Sequence, residues 1–552
     1  MNKLEPKLFY TIKHYSKEQF LKDVISGIIV AIIALPLSIA LALASGVSPE
    51  QGIYTAVIAG FVISFLGGSR VQIAGPTAAF ASIVAGIVAK NGMGGLATAT
   101  VIAAVILIIM GLCRMGNLIS FIPQTITIGF TTGIAVTIII GQVKDFLGLT
   151  FSGSPIETLE KVGEIIRSIG TINYWAFAIG ALSLLILIVC GKVMKKIPPS
   201  LVAVVVTAAI VQLFSLPVNT IGDLYTISSG LPHFTMPDFS LETIKTVFPD
   251  GVTIAILAAI ESLLSCVVAD GMIGSRHNSN MELVAQGAGN AMSALFGGIP
   301  ATGAIARTAA NIKNGGRTPV AGMVHSVVLL LTLVFLMPYA ALIPMPAIAA
   351  ILFMVAYNMS ELKKFAQICK ISPKSDIFIL LLTFVLTVCF DLVVAIVTGL
   401  VLAAILFMKR MADETHIYGW RYQGDDEASD VDNISLKSVP DNTLVYEISG
   451  PMFFGVSNKI MDFLPNLNGK NAVILRMRSV PALDASALSA LETIYNIMKK
   501  KNVTLIFSHV NEQPMSVMHK AGFDKKVGAE NFCPHIDEAL KRAAELETSV
   551  KL

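Results

Sequence analysis

Long apolar runs separated by short polar stretches occupy most of the first 410 residues of the chain. A helix needs about 20 apolar residues to cross the roughly 30 Å hydrocarbon core of a bilayer. The runs predict spans at 24–44, 52–67, 96–115, 120–140, 174–191, 198–216, 251–269, 282–296, 318–337, 339–356, 376–390 and 391–409. Two shorter segments, at 75–89 and 301–312, bring the predicted number to fourteen.

The two shorter segments begin in the same way. Each follows a hydrophobic-Gly-Gly sequence, ending at Gly68 and Gly298, and each continues through an irregular stretch of small residues. They are third and tenth in the span order, so each is third in a half of seven, and an odd number of spans reverses the second half. Paired broken segments of this kind indicate an inverted repeat with a binding site near the midplane. Tight helix packing is the other common role of such glycines and prolines.

Basic residues are concentrated in four polar stretches, at 3–22, 192–196, 363–374 and 409–410. With fourteen spans, all four lie on one side of the membrane, and the positive-inside rule makes that side cytoplasmic. We therefore expect a multi-pass protein of the cell (inner) membrane with both termini in the cytoplasm. No cleavable signal pattern precedes the first span, so this span is expected to remain.

Composition strengthens the membrane prediction. Hydrophobic residues make up 54% of the chain and charged residues 14%, with a mean hydropathy of +0.73. The net charge of +3 is small and its basic residues are scattered, so a nucleic-acid partner is not expected. The six cysteines show no metal-ligand spacing. No nucleophile-base pair or phosphate loop stands out, so the sequence predicts neither an enzyme nor a cofactor or metal.

Arg307 lies inside the second short segment. A charge at bilayer depth costs at least about 2.5 kcal/mol unless it lines a cavity or has a partner. Each helix N-terminus adds about half a positive charge, so two converging N-termini and Arg307 would give a site of about +2. Such a site suits a small oxyanion. The predicted substrate-binding residues are Arg307, Thr77, Ala78, Ala79, Phe80, Thr302, Gly303, Ala304 and Ile305.

These residues differ in their expected roles. The backbone amides at 77–79 and 303–305 would donate hydrogen bonds to the anion, because the side chains around them are small. The hydroxyl groups of Thr77 and Thr302 either bind the anion or cap the helices. Phe80 either forms an apolar wall of the site or is simply packed in the bundle.

Glu261 is the second charge predicted inside the membrane, within the apolar run 256–266. Burial favours the neutral form of a carboxyl group, and a nearby arginine favours the charged form. When an anion neutralises Arg307, Glu261 should take up a proton, so that anion and proton cross together. The alternative is a permanent structural ion pair between Glu261 and Arg307.

Several of these motifs resemble one family. The stretch 36–54 resembles the first-helix signature of the sulfate permease (SulP) anion transporters, relatives of the animal solute carrier family 26, and 75–80 and 303–308 resemble that family's third and tenth helices. The stretch 261–287 is similar to bacterial members, including the enterobacterial dicarboxylic acid permease. The resemblance implies fourteen segments in core and gate domains, a homodimer, and substrate held between the third and tenth helices. Leu37 stands where many relatives have Gln after the first-helix proline, and Ala306 stands where the animal members have Ser before the arginine.

The composition changes after Arg410. The sequence predicts a cytoplasmic N-terminal segment at 1–23, a transporter domain at 24–410, an acidic linker at 411–435 and a small α/β domain at 436–552. In that last domain, strands are predicted at 443–448, 472–477 and 503–507, and helices at 456–465, 485–500 and 513–521.

The α/β domain resembles the STAS domain that ends SulP transporters. In related STAS proteins a serine or threonine directly after an aspartate accepts phosphate, whereas here Ala485 follows Asp484. We therefore expect no phosphorylation at this position, and we expect Asp484 and the next serine, Ser486, to act as helix-capping residues.

The leading functional hypothesis is a secondary active transporter of a small inorganic or carboxylic anion, working by alternating access and coupled to proton uptake. Sulfate is the default substrate of the family that the chain resembles. The alternatives are a symporter of four-carbon dicarboxylates or bicarbonate, driven by protons or sodium, and an uncoupled anion exchanger or channel. A nucleobase carrier would need a carboxylate in place of Arg307, and a membrane-anchored regulator would leave Arg307 unexplained. The expected partners are the anion, the co-transported ion and the lipid bilayer.

Overall fold

The chain forms two compact units, Met1–Val401 and Leu402–Leu552. The computed structural model describes residues 4–13, 15–117, 123–153, 155, 157–193, 198–227, 230–390, 392–419, 439–453, 467 and 469–550.

The described residues of the first unit form helices and loops, apart from two very short strands, and the last helix of this unit continues past Val401. Its helices are α1 (Lys7–Ile12), α2 (Lys17–Ala44), α3 (Pro49–Leu66), α4 (Ala78–Leu112), α5 (Gln124–Leu147), α6 (Thr158–Ser168), α7 (Tyr174–Val193), α8 (Pro199–Leu213), α9 (Ile221–Leu224), α10 (Leu241–Ile273), α11 (Ser279–Leu295), α12 (Ile305–Lys313), α13 (Val320–Ala340), α14 (Met345–Met359), α15 (Leu362–Ile371), α16 (Lys374–Cys389) and α17 (Leu392–Asp413). Its strands are β1 (Ala74–Gly75) and β2 (Thr302–Gly303). In the described part of the chain, nine helices are long and apolar enough to cross a membrane.

The structure has a helix at each of the fourteen predicted segments. Two of these segments lie in α4, which is divided at Gly92 because this residue has φ 66° and ψ −173°, a conformation that glycine adopts readily. Several helices extend beyond the apolar runs. For example, α2 begins at Lys17, where Ser16 accepts a hydrogen bond from the Gln19 amide (3.1 Å), so most of the predicted N-terminal segment is helical. Hydropathy misses such polar first turns, whereas capping defines them.

The packing of the first unit follows the predicted inverted repeat. Helix α3 packs against α13, and the equivalent helix of the second half, α11, packs against α4. Gly27 on α2 lies against the Ala321 carbonyl of α13, and its counterpart Gly251 on α10 lies against Ile102 of α4. A Cβ atom at Gly27 would be 2.6 Å from that carbonyl oxygen, and one at Gly251 would be 2.7 Å from Ile102. The first helix of each half therefore approaches the other half closely through a glycine.

These contacts separate two groups of helices. Helices α2–α4 and α10–α13 form one group, and they include both broken segments. In the other group α5 packs against α14 and α16, and α7 packs against α8 and α14. Gly399 of α17 faces Thr383 of α16 and Ile126 of α5. The two groups correspond to the expected core and gate domains.

The second unit contains a five-stranded sheet. Its strands are β3 (His416–Gly419), β4 (Thr443–Ser449), β5 (Ala472–Ser479), β6 (Thr504–Ser508) and β7 (Phe532–Cys533), and its helices are α18 (Ala485–Lys500), α19 (Glu512–Lys520), α20 (Phe523–Val527) and α21 (Ile536–Val550). The strand order is β3-β4-β5-β6-β7, with β3 antiparallel to β4 and the other pairs parallel. Val473 and Leu475 of β5 join a core that contains α18 residues, and Ile474 joins a core that contains α21 residues.

Three features of this unit bear on the sequence predictions. Residues 416–419, which the sequence assigns to the linker, form an edge strand because they pair with β4, while 420–438 and the predicted helix 456–465 lie outside the described residues. Strand β7 was not predicted, because only two residues form it. Asp484 caps α18 as predicted, since its Oδ1 accepts a hydrogen bond from the Ala487 amide (2.8 Å).

Candidate functional site

The two broken segments cross at a pair of two-residue antiparallel strands. In β1 and β2, Ala74 lies opposite Gly303, and Gly75 lies opposite Thr302. Helix α4 begins three residues after β1, and α12 begins two residues after β2. The sequence forms these strands because small residues allow the two backbones to approach closely. The crossing therefore brings together two helix N-termini that are more than 200 residues apart in the chain.

Arg307 is buried beside this crossing, with 3% of its surface exposed. Its Nη2 donates a hydrogen bond to the Pro76 carbonyl (3.1 Å), and its Nη1 has no hydrogen-bond partner among the described residues. A Cβ atom at Gly75 would lie 2.5 Å from Nη1, so glycine leaves the space that the guanidinium occupies. Within the described chain, no carboxylate lies within 4.0 Å of the guanidinium, and the Glu261–Arg307 ion pair considered as an alternative is not formed.

The amides at the start of α12 are not all available to an anion. Gly303 donates its amide hydrogen to Ser262 Oγ (3.2 Å), and Ala304 donates to the Ile73 carbonyl (2.9 Å). The first-turn amides from Ile305 onward are those that a helix leaves without an intrahelical acceptor. The side chain of Ile305 is 40% exposed, so the helix start is accessible. Of the three amides predicted here, that of Ile305 is placed to donate, and those of Gly303 and Ala304 stabilise the crossing.

At the start of α4, Thr77 is the N-cap residue, and the amides of Ala78 and Ala79 are first-turn donors without an intrahelical acceptor. The Phe80 amide donates to the Thr77 carbonyl (3.3 Å). The Phe80 side chain is 1% exposed and belongs to the main hydrophobic core, together with Ala78 and Ala79. Phe80 therefore packs in the bundle directly behind the helix start.

Thr302 is fully buried, and its hydroxyl is engaged. Its Oγ1 lies 2.6 Å from Ser262 Oγ and donates to the Ala258 carbonyl (3.2 Å). The structure thus places Thr302 in a hydrogen-bonded chain that ties β2 to α10. This arrangement matches a structural role for the hydroxyl more closely than direct anion binding.

Helix α10 contacts the starts of both broken segments through two consecutive residues. Glu261 Oε2 accepts a hydrogen bond from Thr77 Oγ1 (3.3 Å) at the start of α4, and Glu261 is only partly buried. The hydroxyl group of Ser262, the next residue, forms hydrogen bonds with the Thr302 hydroxyl and the Gly303 amide of β2. The carboxyl group predicted to couple transport to protons therefore lies at the α4 start, whereas Arg307 belongs to α12.

A buried polar cluster that was not predicted from the sequence involves residues 68–72, directly before β1. Glu282 of α11 accepts hydrogen bonds from the Gly68 and Ser69 amides (2.9 and 3.1 Å), from Gln72 Nε2 (2.8 Å) and from Gln286 Nε2 (2.9 Å). Cys266 of α10 donates its thiol hydrogen to Gln72 Oε1 (2.6 Å). A Cβ atom at Gly303 would overlap Gln72 Nε2, so this amide lies directly against β2. The cluster fixes the chain that leads into β1.

A second buried residue that was not predicted is His325 of α13. It is fully buried, and neither ring nitrogen has a partner among the described residues. The only available sequence signal was a single histidine in an apolar span, which does not distinguish a site residue from a packed one.

Two family models match the chain. Residues 20–383 match the sulfate permease family, and residues 434–539 match the STAS domain. The chain therefore belongs to the sulfate permease family of membrane anion transporters, and it is a transporter rather than an enzyme.

Individual relatives cover almost the whole chain. It is 42% identical to the Bacillus subtilis (strain 168) protein named "Putative sulfate transporter YvdB", over 95% of this chain and 98% of that protein. It is 30% identical to the bicarbonate transporter BicA of Picosynechococcus, over 94% of each chain. Among solved structures, murine Slc26a9 in the inward-facing state shares the fold, with a TM-score of 0.87 at 18% identity, covering 98% of this chain and 94% of that one.

Proposed function

We propose that this chain is a secondary active transporter that carries a small oxyanion together with a proton by alternating access, with sulfate as the first candidate. The observation that carries the proposal is the separation of the two charges. Glu261 contacts the N-cap residue of α4, whereas Arg307 on α12 has no carboxylate partner within the described residues. A cation without an internal counter-ion at the start of a helix is suited to binding an anion.

The charges at the crossing also suggest how a proton is coupled. Arg307 contributes +1 and the two helix N-termini contribute about +0.5 each, so the site carries about +2 when Glu261 is neutral and about +1 when it is ionised. A dianion is therefore balanced only when Glu261 is protonated. For sulfate, this balance predicts entry of one proton with each anion.

Bicarbonate is the second candidate. BicA, a bicarbonate transporter, is 30% identical to this chain. A monoanion is balanced when Glu261 is ionised, so bicarbonate would cross without a proton at this site. The two candidates therefore differ in the expected role of Glu261.

Uptake into proteoliposomes tests both candidates. Labelled sulfate, bicarbonate and succinate are supplied outside, with the membrane potential clamped and a gradient of roughly one pH unit, acid outside. One proton per anion supports about tenfold extra accumulation across such a gradient. We expect this gain for sulfate in the parent protein and its loss in Glu261→Gln. The control Glu242→Gln, on the exposed start of α10, should keep the gain.

Other outcomes would lead to different conclusions. Sulfate uptake that responds to sodium and not to pH would replace the proton with sodium. Uptake by Glu261→Gln that still responds to the pH gradient would contradict the role given to Glu261. Transport of bicarbonate alone, independent of the pH gradient and weakened by Glu261→Gln because the ionised carboxylate is lost, would favour the second candidate.

The family resemblance further supports a homodimer, with both termini and the STAS domain in the cytoplasm. Light scattering of the purified protein tests the dimer. Protease accessibility of the C-terminal domain in right-side-out and inverted vesicles tests the orientation.

A further inference from the structure

A row of aromatic side chains connects the N-terminal helix α1 to the membrane span α3. The rings of Phe61 and Phe65 on α3 are stacked, with centroids 6.4 Å apart, and Phe9 of α1 meets Phe65 edge-on at 6.1 Å. Phe61 and Phe65 are each 37% exposed on an apolar helix that crosses the membrane, so this face meets lipid. Helix α1 is fixed to the end of α3 by the hydrogen bond from the Lys7 amide to the Gly67 carbonyl (2.9 Å). The row therefore places α1 at the boundary of the bilayer.

Helix α1 presents large apolar side chains on its outer surface. Phe9, Tyr10 and Ile12 are between 53% and 54% exposed. Exposure of such side chains to water is unfavourable, whereas their burial in the zone between headgroups and acyl chains, where amphipathic helices lie, is favourable. The outer face of α1 therefore continues the lipid-facing surface of α3.

Two cations, Lys7 of α1 and Arg70 in the loop after α3, lie close to the Tyr10 ring. Lys7 Nζ lies 5.7 Å from the centre of the Tyr10 ring, and the guanidinium of Arg70 lies 5.3 Å from it. Lys7 is buried to 5% exposure, and in the described part of the chain neither cation forms an ion pair within 4.0 Å. The carboxylate whose charge reaches Lys7 is that of Asp270, which is already bonded to His277 (2.7 Å) and Ser275 (3.0 Å).

The two positive charges are therefore not neutralised by contacts within the described chain. Burial lowers the pKa of Lys7, and the charge of Arg70 lowers it further. An anion that contacts both Lys7 and Arg70 would offset the repulsion between their positive charges. Because the exposed apolar side chains Phe9, Tyr10 and Ile12 of α1 lie beside the two cations, the group that fits this surface has an anionic head and an apolar tail.

We propose that α1 is an interfacial helix whose Lys7, together with Arg70, binds the phosphate group of an anionic phospholipid, while Phe9, Tyr10 and Ile12 contact its acyl region. The site would lie on the membrane face that carries the N-terminus. It is separate from the β1–β2 crossing and does not depend on which anion is transported. A free phosphate ion would satisfy the two cations but would leave the apolar face uncovered.

Fluorescence quenching by brominated lipids tests this site in the full-length protein. Trp175 and Trp420 are replaced by phenylalanine, and Phe9→Trp supplies a reporter that keeps an aromatic ring against Phe65. The protein is reconstituted in phosphatidylcholine containing the same small fraction of brominated phosphatidylcholine or brominated phosphatidylglycerol. We expect stronger quenching by the phosphatidylglycerol. Each basic residue near an anionic surface contributes about fivefold in binding, so Lys7→Gln or Arg70→Gln should weaken the preference by about that factor.

Two controls separate a specific site from general attraction or misfolding. Lys17→Gln removes an equal charge from an exposed position nearby and should keep the preference. Quenching by brominated phosphatidylcholine in Lys7→Gln should persist, showing that α1 still lies at the interface. Equal quenching by the two lipids in the parent protein would overturn the proposal, and so would an unchanged preference in both charge variants. Abolition of the preference by millimolar inorganic phosphate would assign the site to a soluble anion instead.

Discussion

The starts of α4 and α12 have the same backbone plan and opposite chemistry. Each follows a two-residue strand, and each lies third in its half of the inverted repeat. The start of α4 carries Thr77 bonded to the carboxylate of Glu261, and the residues behind it are buried. The start of α12 carries Arg307, and Ile305 beside it is exposed. The repeat thus supplies two helix N-termini, of which one contacts a carboxylate from α10 and the other carries an arginine cation.

This difference explains why a single repeat unit could not form the proposed site. Two identical starts with arginine would repel each other, and two with glutamate would repel an anion. Keeping the charges on separate helices also prevents them from neutralising each other directly. We infer that the symmetric scaffold positions the anion and that its asymmetric side chains determine whether a proton accompanies it.

The largest expected effect comes from removing the charge on α12. Arg307→Ala should reduce uptake of the transported anion by at least about thirtyfold, because loss of a buried charge that pairs with a ligand costs about 2–5 kcal/mol. Uptake in proteoliposomes with matched protein content measures this effect. Arg167→Ala, at an arginine whose side chain is 82% exposed, is the control and should transport normally. An Arg307→Ala protein that is folded and transports at the parent rate would disprove the site.

A smaller effect is expected from displacing the same charge without removing it. In Gly75→Ala the new methyl group would lie 2.5 Å from Arg307 Nη1, so the guanidinium must move. Displacement of a positioned group by about 1 Å can cost up to about hundredfold in rate, and we expect a loss of at least about tenfold, mainly through a raised KM. Substrate titrations in proteoliposomes measure KM and maximal rate separately.

The control for this substitution lies on the same helix that follows β1. Gly86 of α4 has open space where a Cβ atom would be placed, so Gly86→Ala should leave transport unchanged. If Gly75→Ala and Gly86→Ala behave alike, the contact between β1 and Arg307 does not control the site.

The sequence predicted those features that depend on local pattern. Fourteen segments follow from the length of the apolar runs, and the two broken segments follow from the repeated Gly-Gly starts. The sequence predicted that the amides of Gly303 and Ala304 bind the anion. In the structure they donate to Ser262 and Ile73 instead, and the sequence pattern does not reveal these contacts. Such contacts join distant parts of the chain, and hydropathy carries no information about them.

The same limit explains the buried residues that were missed. Glu282 was noticed only within a family motif, and its role depends on four donors, three of them from the distant stretch 68–72 and one from its own helix. Strand β3 was assigned to the linker because its four residues become a strand only by pairing with β4. Charge and capping patterns do predict local contacts, as the cap formed by Asp484 shows.

The smallest expected effects come from the two threonines, and they separate scaffold from chemistry most sharply. Thr302→Ala breaks a fully buried hydrogen-bonded chain with Ser262 and Ala258, so we expect a loss of about 1–3 kcal/mol in stability, seen as a lower Tm in detergent. Thr77→Ala removes one 3.3 Å contact to Glu261 at a partly exposed position, so its stability loss should stay near about 0.5–1.5 kcal/mol.

The same two substitutions should affect the pH dependence of transport in the opposite order to their effects on stability. Because Thr77 donates its hydroxyl hydrogen to Glu261, Thr77→Ala should change the dependence of uptake on external pH, whereas Thr302→Ala should lower the amount of folded protein and leave the shape of that pH profile unchanged. Uptake normalised to folded protein across a pH series measures both variants together. A pH profile altered by Thr302→Ala and not by Thr77→Ala would assign proton coupling to the β2 side of the crossing, and the division of roles between the two helix starts would have to be reversed.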